Sequence, residues 1–120
     1  MAVTGPDFIA LQVRNLAEAA AFYEDVVGLI PAESSPLNAA VFQTLPVAFA
    51  VRQAGPGVDL GDHPGTGVAL WLHDPEAATL HPSLAAAGVT IIQEPFAGPF
   101  GTTFTFRDPE GYAVTVHDQA

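Results

Sequence analysis

The 120 residues suffice for one domain, which by size scaling buries about two-thirds of its unfolded surface. With 49% apolar and only 13% charged residues, disorder is excluded over most of the chain, and the lack of cysteine excludes disulfides, thiolate metal sites and cysteine nucleophiles. Thirteen acidic residues stand against Arg14, Arg52 and Arg107, for a formal charge of −10 that excludes a basic nucleic-acid-binding surface.

That acidic field either favours cationic small molecules and basic partners or serves solubility alone. No apolar run approaches the roughly 20 residues of a membrane span. Residues 1–7 lack the basic start and apolar core of a secretory signal, so a cytoplasmic location is expected.

Residues 7–13 alternate, with Ile9, Leu11 and Val13 on one face and Phe8, Ala10 and Gln12 on the other, a strand pattern. Asn15 is placed to cap a helix, and Glu18 follows at the capping-box spacing. Leu16, Ala20, Tyr23 and Val27 recur at helical intervals and form a stripe that can lie on a sheet. Gly28 fits the left-handed position that ends such a helix. Short strands near 29–32, 39–43 and 47–52 complete a β-α-β-β-β unit. Residues 54–67, rich in Gly, Pro and Asp, read as a connection.

A strand over 68–72 opens the second half. Asp74 is expected to cap a helix with Pro75 at its first position. Pro82 is expected to interrupt it, leaving a turn over 76–80 and a short helix over 82–87. Strands near 90–93, 102–107 and 112–117 follow, the last two joined by the turn Asp108-Pro109-Glu110-Gly111. The segment Phe96-Ala97-Gly98-Pro99-Phe100-Gly101 reads as an irregular loop, either a plain connection or a cover over a cavity mouth.

The two halves repeat each other. Ile9-Ala10-Leu11-Gln12-Val13-Arg14-Asn15 is matched by Val68-Ala69-Leu70-Trp71-Leu72-His73-Asp74 at an offset of 59 (68 minus 9). The run from Pro46 to Arg52 has a weaker echo from Gly111 to His117, at an offset of 65 (111 minus 46). Such a repeat implies two similar modules within one domain over 1–120: module 1 at 6–53, the connection at 54–67 and module 2 at 68–118.

Ile9 to Leu16, then Ala21-Phe22-Tyr23, Val27-Gly28-Leu29 and the closing Phe106-Arg107-Asp108-Pro109-Glu110-Gly111 resemble the vicinal oxygen chelate superfamily of glyoxalase I, extradiol dioxygenases and bleomycin-resistance proteins. The resemblance implies an α+β fold of two pseudo-symmetric βαβββ modules, forming a curved mixed sheet around a cavity, commonly in a homodimer. It also places the ligands of metal-dependent members on Phe8, Gly67, Thr115 and, through the offset of 65, Ala50. None of these supplies a good donor to a divalent ion, so no metal and no cofactor is expected.

The four histidines, His63, His73, His81 and His117, have neither the i, i+4 nor the HxH spacing that seats two imidazoles on one ion. His117 shares a strand face with Thr115 and Ala113 and is a candidate ligand contact or general base. Gln12 offers a donor and an acceptor if its face lines the cavity, and otherwise points outward. Arg52 would select a carboxylate or phosphate, or else forms a rim salt bridge. Trp71 alternates with Ala69 and His73 and suits a pocket wall or a subunit interface.

Phe8, Phe49 and Phe104 join Gln12, Arg52, Trp71, Thr115 and His117 as candidate ligand-binding residues. The leading expectation is a metal-independent protein that binds a small cationic or aromatic molecule, after the manner of bleomycin-resistance proteins. The alternative is a glyoxalase- or dioxygenase-like enzyme (lyase, isomerase or oxygenase) with a non-standard metal site or His117 as base.

Overall fold

A computed structural model describes residues 2–119. The chain forms two compact units, residues 1–59 and 60–120, and each builds its own four-stranded mixed sheet with a helix on one face. In the first, β1 (Phe8–Val13), α1 (Leu16–Ala21), β2 (Ile30–Pro31), β3 (Ala39–Gln43) and β4 (Ala48–Gln53) give the order β1-β4-β3-β2. In the second, β5 (Leu70–His73), α2 (Ala77–Ala86), β6 (Ile91–Gly98), β7 (Gly101–Arg107) and β8 (Ala113–His117) give β5-β8-β7-β6. The outermost pair is parallel in each sheet and the others are antiparallel, so the sequence repeat is a repeat of topology.

Asn15 caps α1 as its side chain predicts, accepting the N–H of Glu18 at 3.1 Å. The helix widens into a π-helical stretch over Phe22–Val27 and stops at Gly28, whose φ of 94° is left-handed. This turns Tyr23 into the core, where its ring lies 5.1 Å from Phe49 and 6.4 Å from Phe42. Phe42, Phe49, Val51 and Val13 all point to this helix-covered side and are buried. Each such side chain contributes about 1.5–3 kcal/mol by leaving water.

The second core is built alike. Phe104, Phe106, Val114 and Val116 lie on the helix-covered face, under Ala77 and Leu84 of α2. Phe104 meets the His81 ring edge-on at 5.3 Å. Here the expectation of an interrupted helix is corrected: α2 runs unbroken through Pro82. Pro82 lacks the N–H of one intrahelical bond, a cost of about 3 kcal/mol. Ala77 and Leu84, two turns apart and both fully buried, anchor the helix on either side of it, and tertiary burial prevails.

Two further local expectations change. Asp74 does not cap α2; the flanking position is Glu76. Asp74 instead folds the approach, its Oδ1 accepting the N–H of Glu76 at 2.8 Å and its carbonyl that of Ala77 at 3.1 Å. Phe96 to Gly98 is no loop but the end of β6, which two register irregularities keep paired with β7. Only Pro99 and Phe100 remain as a hairpin tip, so the segment is a plain connection and not a cover.

The Asp-Pro-Glu-Gly turn is a structural device. Asp108 is buried, and its Oδ1 accepts the N–H groups of Glu110 and Tyr112, each at 2.9 Å. Arg107 Nη1 donates to the Gly111 carbonyl at 2.8 Å. Gly111 has a φ of 102°, and a Cβ there would strike the Asp62 carbonyl. Among the described residues no helix is long and apolar enough to cross a membrane.

Candidate functional site

Each sheet leaves one face uncovered by its helix, and the strand registers decide which side chains meet there. In the first unit Phe8 pairs with Ala48, Ala10 with Ala50 and Gln12 with Arg52, while Ala39 and Val41 of β3 lie across from Arg52 and Ala50. Their side chains share the open face. Phe8, Ala10, Ala39, Val41, Ala50 and Arg52, with Pro36 and Leu37, line a pocket of about 360 Å³, within the usual range for small-molecule sites.

The pocket arises because three of its floor residues are alanines and the β2–β3 loop rises beside them. Ser35 Oγ accepts the N–H of Val41 at 3.0 Å, and the Asn38 carbonyl accepts that of Gln53 at 2.8 Å. Asn38 itself is left-handed at a φ of 64°. These bonds hold Pro36 and Leu37 at the rim. Phe8 is 52% exposed, so a ligand here would cover apolar surface that is now wet.

In the second unit the equivalent face carries aromatic and polar side chains. Trp71 lies across from Thr115 and His73 from His117, and Thr105 bonds Thr115 hydroxyl to hydroxyl at 2.8 Å. The Trp71 ring is 5.4 Å from His117 and 5.8 Å from Phe100 at the hairpin tip. Trp71 and Phe100 are 44% and 53% exposed. Residues 118 and 119 build this corner: Gln119 N–H donates to the Phe100 carbonyl at 3.1 Å, and Asp118 Oδ1 accepts the N–H of Thr102 at 2.9 Å.

The sequence candidates divide accordingly. Phe8 and Arg52 line the pocket, and Gln12 lies beside Arg52 on the same open face but beyond the lining. Trp71, Thr115 and His117 share the open face of the second sheet. Phe49 and Phe104 are corrected: strand alternation turns both to the helix-covered side, where they are buried in the cores. Leu37, Pro36, Ala39 and Val41 were not among the candidates. The alternation of β3 could have given Ala39 and Val41, but nothing local in the sequence places a loop or a hairpin tip against a sheet.

Register also corrects one position that the resemblance assigns. Gln12 and Trp71 correspond through the offset of 59, and they pair with Arg52 and Thr115 respectively. The counterpart of Thr115 is therefore Arg52, at an offset of 63 (115 minus 52), and not Ala50. A guanidinium cannot ligate a divalent ion and repels it. Thr115 spends its hydroxyl on Thr105, Phe8 has no donor and Gly67 no side chain. The metal of metal-dependent relatives does not fit these residues. Among the described residues, no three His, Asp or Glu side chains gather closely enough to hold an ion.

Paired βαβββ units, each with its own four-stranded mixed sheet, define the class of glyoxalase-like folds. The model of the glyoxalase/bleomycin resistance protein/dioxygenase superfamily matches residues 5–116, and the chain belongs to that superfamily. No curated protein sequence matches it.

Among solved structures, the chain is similar to TnmS3, an antibiotic binding protein from Streptomyces sp. CB03234. The TM-score is 0.76 and the identity 19%, over 100% of this chain and 99% of the other. It is similar also to the fosfomycin resistance protein FosX from Listeria monocytogenes (TM-score 0.72, 19% identity, 99% and 94% covered). Lactoylglutathione lyase from Agrobacterium tumefaciens gives a TM-score of 0.69 at 21% identity, with 96% and 93% covered. At these identities the likeness establishes the fold.

Proposed function

We propose that this protein is a metal-independent small-molecule-binding protein, working as a homodimer in the cytoplasm, whose ligand sits on the open face of the first sheet. The observation that carries this reading is the hollow walled by Phe8, Val41 and three alanines, with Arg52 as its one charged lining residue. The antibiotic-binding likeness of TnmS3 and the poor donors at the metal positions support binding over metal catalysis.

The ligand has an apolar or aromatic body of drug-like size. Net charge alone favours a cation, but local charge decides at contact distance. Among the described residues no carboxylate is paired with Arg52, so it favours a carboxylate or phosphate on the ligand.

Thermal shift with matched aromatic carboxylates and aromatic amines tests this. Carboxylates are expected to stabilise the fold, with affinity unchanged by chelator and reduced about tenfold or more in Arg52→Ala. Stabilisation by the amines alone would restore the cationic ligand. Binding that vanishes with chelator would sink metal independence.

A further inference from the structure

His73 and His117 lie 44 positions apart (117 minus 73) in sequence, yet they are register partners on the parallel strands β5 and β8. Their ring centroids are 5.7 Å apart on the open face of the sheet. Two imidazoles on one ion, with metal–nitrogen bonds of about 2.0–2.1 Å, have centroids about 5 Å apart. The two rings stand within about 1 Å of that separation.

Each ring is also held through one nitrogen by a backbone carbonyl. His117 Nδ1 lies 2.8 Å from the Gln119 carbonyl and His73 Nε2 lies 3.2 Å from that of Asp118. A carbonyl only accepts, so both of those nitrogens carry the proton. In the neutral rings this leaves the lone pair on His73 Nδ1 and on His117 Nε2. An N–H given to a carbonyl behind a free lone pair is the arrangement that orients metal-bound histidines.

We infer that His73 and His117 together hold a divalent transition-metal ion through His73 Nδ1 and His117 Nε2, with water in the remaining positions. Imidazole ligands without carboxylate select Cu²⁺, Ni²⁺ or Zn²⁺ and not Mg²⁺ or Ca²⁺. The site is separate from the positions that the superfamily resemblance assigns to a metal. It stands independently of the Arg52 pocket, which belongs to the other sheet.

The chain supplies its own reporter, because Trp71 is its only tryptophan and its ring lies 5.4 Å from His117. Titrating the full chain with Cu²⁺ alone is expected to quench Trp71 emission at one equivalent, with reversal by excess EDTA, which removes the ion. His73→Gln and His117→Gln are each expected to weaken Cu²⁺ about tenfold or more, whereas His63→Gln leaves the curve unchanged.

Quenching that is equal in wild type and both variants would overturn the site. So would quenching lost in His63→Gln. Should a variant misfold, the imidazole nitrogen resonances of the wild-type protein decide. Zn²⁺ must move those of His73 and His117; movement of His63 or His81 in their place refutes the inference.

Discussion

The two sheets share strand order, pairing sense and a helix on one side, yet their open faces differ in kind. The first is floored by Ala10, Ala39 and Ala50 and is hollow. The second carries Trp71, His73, Thr105, Thr115 and His117 and is furnished with polar and aromatic groups. Topology fixes which positions face outward; side-chain volume and donor chemistry at those positions decide what the face can hold. One scaffold thus presents an apolar pocket with a single cation and, elsewhere, a paired-imidazole corner.

The cores under these faces are expected to be equivalent, and truncation tests it hardest. Phe49→Ala and Phe104→Ala should each cost about 3–5 kcal/mol in denaturant unfolding, since both rings are buried. A small loss in either would show that one unit is less tightly packed than the other.

Gly101→Ala probes the corner of the second face. Gly101 has a φ of 84°, and a Cβ there would collide with the Asp118 carboxylate. A loss of about 1–3 kcal/mol is expected, with altered Trp71 emission as Phe100 is released. Unchanged emission would mean that Phe100 does not depend on Asp118 and Gln119.

Ala39→Leu sharpens the contrast by filling the hollow. Ligand affinity is expected to fall about tenfold or more, or about 1.4 kcal/mol by calorimetry, with little change in thermal stability. Retained affinity would move the ligand off this face. The smallest effect is expected of Asn15→Ala, which removes the cap of α1 at a cost of about 1 kcal/mol to thermal unfolding.

Much of this architecture was legible because it is local. The alternation of residues 7–13, the capping spacing of Asn15 and Glu18, the glycine at 28 and the Asp-Pro-Glu-Gly turn all act within a few residues. Helix α2 was misread because propensity places a break at Pro82, while burial of Ala77 and Leu84 outweighs it. The candidate site was legible only in halves. Phe8 and Arg52 followed from alternation, but alternation alone could not separate Phe49 and Phe104, which serve the cores, from side chains on the open faces.

The sequence by itself determined the repeat, the βαβββ order and the acidic charge. These rest on residue identity and short-range periodicity. Only the tertiary structure decided that Arg52 is the counterpart of Thr115, that Leu37 rims the pocket, and that His73 and His117 stand side by side. Those facts depend on strand register and loop path, which are set by contacts among residues dozens of positions apart, where no local spacing rule reaches.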